Sequence, residues 1–204
     1  PKKEGFLPMK EYTTEFIRNV ALVGHGSSGK TMMAESFLHF SGAITRMGKV
    51  EDCSTVSDFD DEEIRRSLSL YTSVLPVEHK KTKINILDAP GYTDFVGEVI
   101  SAISVSDSAL VLVDSLAGVE VGTEIAWRYC DQFNLPRAVV VNKMDRDNAN
   151  LKKVMTSLEE FSAARLIRVQ LPWGERGDFK GVIDLMSNKA YEGDGKTAVE
   201  IPAE

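Results

Sequence analysis

A glycine-rich segment near the start of the chain has the residue types of a phosphate-binding loop. The segment fits the pattern G-x-x-x-x-G-K-[ST] and reads Gly24-His25-Gly26-Ser27-Ser28-Gly29-Lys30-Thr31. Glycines let successive backbone N–H groups converge on an anion, and a helix that begins here adds the positive end of its dipole. The pattern predicts that Lys30 reaches the β- and γ-phosphates of a nucleoside triphosphate and that Thr31 binds Mg²⁺. All eight residues are therefore candidate nucleotide contacts.

A second phosphate motif follows later in the chain. Asp88-Ala89-Pro90-Gly91 comes directly after residues 84–87 (INIL), which read as a buried strand. A carboxylate at the end of a parallel strand points into the crevice where ligands bind, and there Asp88 can hold Mg²⁺ through water. The backbone N–H of Gly91 can reach the γ-phosphate.

A third motif, Asn142-Lys143-Met144-Asp145, indicates which base is bound. The Asp145 carboxylate can accept hydrogen bonds from N1–H and the exocyclic amine of guanine, whereas adenine leaves the carboxylate unpaired. Lys143 can lie over the base plane, and Asn142 can tie this loop to the phosphate loop. The three motifs in this order favour GTP, and a P-loop ATPase or kinase is the remote alternative.

These motifs require strands that end at one edge of a sheet. Apolar runs at residues 20–23, 84–87, 109–113 and 138–141 predict buried strands, and residues 72–77 can pair with 83–87. Helical patterns fall at residues 30–40, 95–105, 121–133 and 149–161. The alternation predicts a doubly wound, mostly parallel α/β sheet. The polar, acidic stretch 45–70 between the first helix and the hairpin is long enough to suggest a functional connection.

The last forty residues change in character. Residues 166–169, 179–185 and 189–191 read as short strands, with Gly193-Asp194-Gly195 between hairpin arms. We therefore divide the chain into a nucleotide-binding domain, residues 1–164, and a small β-rich piece, residues 165–204, which reads as incomplete.

Composition limits the classes of protein. The 204 residues include 24 Lys and Arg against 31 Asp and Glu, a net charge of −7, which argues against a protein that coats free DNA. Two cysteines are too few for a disulfide framework; Cys130 should be buried and Cys53 exposed. No apolar stretch approaches the roughly 20 residues of a membrane span, and we expect a cytoplasmic protein without a membrane partner.

These motifs together resemble the GTP-binding domain of translational GTPases. The similarity is strongest to elongation factor G and to its divergent bacterial paralogues. The residues that carry it are 24–31, 54–70 (STVSDFDDEEIRRSLSL), 88–99 (DAPGYTDFVGEV), 114–124 (DSLAGVEVGTE) and 142–146 (NKMDR). The resemblance implies a P-loop GTPase fold and a Mg²⁺ site built by Thr31, Ser69 and Asp88. It also implies that residues 165–204 are the truncated beginning of the family's small β-rich inserted subdomain.

Three positions depart from the family pattern. Ser69 stands where the family has the Thr that senses the γ-phosphate, and the missing methyl group predicts looser coupling of this segment to GTP. Tyr92 stands where the family has the His that orients the attacking water, and a phenol with a pKa near 10 is a poor base. Ser27 replaces an Asp, which puts a monovalent-cation site in doubt.

The resemblance implies a GTP-binding and GTP-hydrolysing switch that acts on the ribosome in an elongation- or translocation-like step. The catalytic candidates are Lys30, Gly91 and Tyr92, and the cofactors are GTP or GDP and Mg²⁺. Tyr92 and Ser69 favour one alternative, a GTP-gated ribosome-binding or regulatory factor that hydrolyses little. We expect weak turnover in isolation, stimulation by ribosomes, and a monomeric isolated chain.

Overall fold

The computed structural model describes residues 10–162, 164–193, 195 and 197–201. The α-helices are α1 (Lys30–Ser41), α2 (Asp61–Arg66), α3 (Val96–Ser104), α4 (Val121–Gln132) and α5 (Leu151–Phe161). The strands are β1 (Ile17–Gly24), β2 (Ser73–His79), β3 (Thr82–Asp88), β4 (Ser108–Asp114), β5 (Arg137–Asn142), β6 (Gln170–Trp173), β7 (Gly181–Asp184), β8 (Lys189–Glu192) and β9 (Ala198–Val199). In the part of the chain described, none of the helices has the length and apolarity that crossing a bilayer requires.

The larger sheet has the strand order β2-β3-β1-β4-β5. Strands β3, β1, β4 and β5 are parallel, whereas β2 forms an antiparallel hairpin with β3. In the register, Leu22 lies beside Asp88, Gly24 beside Leu112, and Asp114 beside Asn142. The carboxyl ends of these parallel strands therefore meet at one edge, where ligands bind in open α/β sheets.

Helices cover both faces of this sheet, so the predicted doubly wound fold is confirmed. Leu22 of β1 packs with Ala34 and Leu38 of α1 on one face. Its neighbours Ala21 and Val23 point to the other face, where α3, α4 and α5 pack. Side chains alternate along a strand, and burying each such Leu or Val contributes about 1.5–3 kcal/mol. The sequence predicted α1, α3, α4 and α5 to within two residues at each end.

The connection between α1 and β2 contains α2, a six-residue helix that the sequence analysis did not predict. Two buried glutamates organise this connection. Glu35 of α1 accepts hydrogen bonds from the N–H groups of Gly48 (2.8 Å) and Val56 (2.5 Å). Glu63 closes a capping box with Asp60 at the start of α2. The polar sequence is thus held by specific carboxylate contacts with the backbone.

The smaller sheet is antiparallel, in the order β6-β7-β8-β9. The strand predicted at residues 166–169 is wrong. Strand pairing begins only at Gln170, which lies beside Asp184, and Ile167 is 80% exposed. An apolar run becomes a strand only where a neighbouring strand can take its backbone hydrogen bonds. The boundary between residues 164 and 165 stays a prediction, and Asp194 and residues 1–9 lie outside the described residues.

Candidate nucleotide-binding site

The phosphate loop begins where β1 ends and runs into α1, and two of its glycines are required by the local geometry. Gly24 has a φ of +138°, and a Cβ there would lie 2.3 Å from the carbonyl oxygen of Leu112 on β4. Gly29 has a φ of +99°, and a Cβ there would lie 2.3 Å from Nδ2 of Asn142. Both positions need a residue without a side chain, so that the loop can fold against its neighbours.

Lys30, the first residue of α1, places its ammonium group inside the loop. Nζ donates hydrogen bonds to the carbonyl oxygens of Gly24 (3.1 Å) and His25 (2.9 Å), and the residue is only 6% exposed. Burial lowers the pKa of Lys30 to about 8, although the charges of Asp88 and Asp58 oppose this shift. The cation is therefore fixed at the centre of the predicted phosphate site.

Hydroxyl and carboxylate oxygens from three segments of the chain lie close together beside Lys30. The hydroxyl groups of Thr31 and Ser69 lie 3.4 Å apart, and Ser69 Oγ donates a hydrogen bond to Oδ1 of Asp58 (2.7 Å). Asp88 is 1% exposed, and neither of its carboxylate oxygens has a hydrogen-bond partner among the described residues. Burial raises the pKa of Asp88 to about 6, although the charge of Lys30 opposes the shift.

This group of hydroxyl and carboxylate oxygens fits Mg²⁺, which prefers hard oxygen ligands and is usually held by one or two carboxylates. An unpartnered buried carboxylate is costly unless a cation or a donor satisfies it. Asp58 is a fourth member of the group that the sequence analysis missed. Burial also raises the pKa of Asp58, against the effect of the Ser69 hydrogen bond. Its only sequence signal was its place in the acidic connection.

The loop after β5 is tied to the phosphate loop by side chains. Asn142 Nδ2 donates to the carbonyl oxygen of Ser28 (3.0 Å), which is the expected tie. Lys143 Nζ donates to the carbonyl oxygen of Ser27 (2.8 Å) and to Oδ2 of Asp114 (2.7 Å). Although burial acts to raise the pKa of Asp114, the Lys143 contact and backbone donors hold it below its usual value.

Lys143 therefore also fixes the phosphate loop, a role that its sequence position did not reveal. Asp145 lies exposed at the end of this loop. Its contact with guanine and the position of Lys143 over the base stay predictions.

The segment after β3 borders the phosphate loop from the other side. Gly91 lies against Lys30 and Gly26, and the ring of Tyr92 lies on Gly26. The side chain of His25 contacts the start of α4: its Nδ1 accepts a hydrogen bond from the N–H of Gly122 (3.2 Å), and its Nε2 lies 3.5 Å from Glu120. His25 thus joins the phosphate loop to the start of α4.

The phosphate loop, the buried Lys30 and the unpartnered Asp88 lie at the carboxyl edge of a doubly wound sheet, which defines a P-loop nucleotide-binding domain. Residues 15–200 match the family described as the elongation factor Tu GTP binding domain. The chain therefore belongs to this family of GTP-binding domains, and its resemblance to translational GTPases of the elongation factor G type is confirmed.

Two relatives show the extent of the similarity. Elongation factor G of Mycoplasma genitalium is 34% identical over 188 residues, which are 91% of this chain and 27% of that protein. The crystal structure of ttk003000868 from Thermus thermophilus superposes with a TM-score of 0.85 at 39% identity, over 92% of this chain and 28% of that one. This chain thus spans about a quarter of the length of each relative.

Proposed function

We propose that this chain is the GTP-binding and GTP-hydrolysing part of a translational switch that acts on the ribosome. One observation carries the proposal: the Asn142–Ser28 and Lys143–Ser27 hydrogen bonds fix the predicted base-reading loop on the phosphate loop. A nucleotide whose phosphates lie on Lys30 would then meet Asp145 at the base. This geometry supports selection of guanine together with a triphosphate.

The chain's own groups support hydrolysis by electrostatics rather than by a strong base. Lys30 and the backbone N–H groups of the loop would stabilise charge on the β- and γ-phosphate oxygens, with Gly91 contributing its N–H to the γ-phosphate. Thr31, Ser69 and Asp88, with Asp58 behind Ser69, would hold Mg²⁺, which neutralises phosphate charge when it is bound. Tyr92 can offer the attacking water a hydrogen bond but is a poor base at neutral pH.

We therefore propose slow intrinsic turnover that the ribosome stimulates, in a cytoplasmic setting and with a monomeric isolated chain. The ribosome as partner rests on the family to which the chain belongs. When the γ-phosphate leaves, the segments that carry Ser69 and Gly91 lose their shared contact, which is how a switch would relax.

Phosphate release over many turnovers tests this proposal, measured for the full-length protein with and without ribosomes. We expect slow GTP hydrolysis alone and at least about tenfold faster hydrolysis with ribosomes. A competition assay with GTP and ATP supplies the base preference, and a preference for ATP would contradict the proposed base reading.

The second candidate is a GTP-gated factor that hydrolyses little, which Tyr92 and Ser69 favour. Tight GTP binding with no ribosome-stimulated phosphate release would select this candidate. Replacing Tyr92 by His would then restore stimulated release, because an imidazole is a better base than a phenol near neutral pH.

A further inference from the structure

Gly91 lies directly against the phosphate loop, in the region where a γ-phosphate would approach Lys30. A Cβ on Gly91 would be 2.4 Å from Lys30 Nζ and 2.6 Å from the backbone nitrogen of Gly26. The backbone of Gly91 therefore closes on the ammonium group and on the loop, and no side chain would fit at position 91. Since Lys30 is predicted to reach the γ-phosphate, the segment after β3 lies where that phosphate would approach.

The ring of Tyr92 extends this cover onto the loop itself. A Cβ on Gly26 would lie 3.0 Å from Cζ, 3.1 Å from Cε1 and 3.2 Å from Cε2 of Tyr92. The phenol end of the ring thus rests in the space that a side chain at position 26 would occupy. Gly26 has no positive φ, so the close approach of this ring is the local feature that a glycine here accommodates. Tyr92 remains 42% exposed, which leaves it a path to swing outward.

We propose that Tyr92 seated on Gly26 forms an aromatic lid over the γ-phosphate position and sets the protein's preference between GDP and GTP. The lid deepens the proposed function and rests on it. GDP binds with the lid closed, because its phosphates do not extend to Gly91. GTP binds only the open arrangement, so its apparent affinity falls by the fraction of molecules in which the lid is open.

The contact itself separates this role from that of a water-orienting hydroxyl. The atoms that meet Gly26 are ring carbons, which phenylalanine shares with tyrosine. A Tyr92→Phe variant keeps the lid and removes the hydroxyl group, whereas Tyr92→Ala removes both. The pair of variants therefore distinguishes a lid from a group that acts on water.

Equilibrium binding of fluorescent GDP and of a fluorescent, non-hydrolysable GTP analogue to the full-length protein tests the lid. For Tyr92→Ala we expect the affinity for the GTP analogue relative to GDP to rise by about fivefold or more, the lower range of typical coupling between two states. For Tyr92→Phe we expect the same ratio as for the wild type. A ratio within twofold of the wild type for Tyr92→Ala would overturn the proposal.

Gly26→Ala provides an independent arm, because the added methyl group would lie 3.0–3.2 Å from three ring carbons of Tyr92, so the ring must shift from its position on the loop. We expect this variant to raise the same ratio in the wild-type background and to leave it unchanged in the Tyr92→Ala background. An equal effect in both backgrounds would place the cause in the loop rather than in the lid, and would contradict the proposal. Urea unfolding serves as the folding control for every variant, because Gly26 is itself a candidate nucleotide contact. If the wild type binds neither guanine nucleotide, the proposed function fails; if both bind and the ratios do not move, only the lid fails.

Discussion

At the residue scale, the site depends on two opposite charges that are both buried. Burial lowers the pKa of Lys30 to about 8 and raises the pKa of Asp88 to about 6, and in each case the partner's charge works against the shift. The partner's charge in each case favours the ionised form that burial disfavours. A triphosphate would take over the role of counter-charge for Lys30, and Mg²⁺ would take it over for Asp88.

Asp145→Asn should change which base the protein selects. Xanthine has an oxygen where guanine has its exocyclic amine, so an amide can donate to that oxygen while still accepting from N1–H. We expect GTP affinity to fall by at least about 100-fold and the affinity for xanthosine triphosphate to rise. Displacement of fluorescent GDP by the two triphosphates measures this. The neighbouring exposed acid provides a control, Asp147→Asn, which should change neither affinity.

The two cysteines should differ widely in reactivity. Cys53 is exposed in the connection before α2, whereas Cys130 is buried on α4, where burial raises the pKa of its thiol. Since the thiolate is the reactive form, iodoacetamide should modify one cysteine per native chain and the second only in denaturant. Mass spectrometry counts the labels. Labelling of native Cys53→Ser would contradict the buried position of Cys130.

At the scale of elements, the connection between α1 and β2 is held by a few carboxylate contacts. The Glu63 carboxylate accepts hydrogen bonds from the N–H groups of Asp60 (3.2 Å), Leu70 (2.9 Å) and Tyr71 (3.1 Å). It thereby links the start of α2 to the segment that carries Ser69. Its neighbour Glu62 is different, since it pairs with Arg65 and Arg66 near the surface. The two arginines are thus paired with an acid of their own helix.

Glu63→Ala should therefore loosen the segment that carries Ser69. Three N–H groups lose their acceptor, and we expect a loss of about 2 kcal/mol in the free energy of unfolding. Urea titration measures the free energy of unfolding. Hydrogen exchange followed by mass spectrometry should then show faster exchange of the Leu70 and Tyr71 amides than in the wild type. Glu62→Ala is the matched control and should cost no more than about 0.5 kcal/mol, because exposed ion pairs contribute little. Equal losses for the two variants would show that the burial of Glu63 is unimportant.

At the scale of the whole molecule, the sheet brings distant motifs to one edge. The net charge of −7 is unevenly distributed along the chain, because many of the acidic residues lie between residues 51 and 63. Two of these acids, Asp58 and Glu63, are buried. Their carboxylates accept hydrogen bonds from Ser69 and Leu70 rather than facing solvent. Overall charge is thus a poor guide to how this surface meets a partner.

The stability of the metal-free protein should depend on pH through Asp88. Its pKa of about 6 in the folded protein lies above the ordinary value of 3.8. Stability contributed by the protonated carboxyl is full below pH 4 and is lost as the pH rises through 6. Between pH 4.5 and 6.5 the wild type should lose about 2 kcal/mol relative to Asp88→Asn, whose amide does not ionise.

Urea unfolding in EDTA at the two pH values measures this difference. Parallel pH profiles for the wild type and Asp88→Asn would refute a raised pKa. Addition of Mg²⁺ and GDP should reduce the difference, because a cation beside the carboxylate favours its charged form.

The three motifs, their order and the elements that carry them could be predicted from the amino-acid sequence. The spacing of the loop motif, the apolar runs and the amphipathic periods are local properties of the sequence, and they predicted α1, α3, α4 and α5 and the strands of the larger sheet closely. A mostly parallel sheet with helices on both faces could also be predicted, because a chain that alternates strands and helices has few ways to cover a sheet.

Only the tertiary structure decided which side chains meet across that framework. It placed Asp58 beside Ser69, the Tyr92 ring on Gly26, and α2 inside a stretch without apolar periodicity, and it removed the strand predicted at residues 166–169. These features depend on contacts between residues far apart in the chain. Such contacts are set by the packing of whole elements and by which backbone groups find partners, and neither quantity is written in a local pattern.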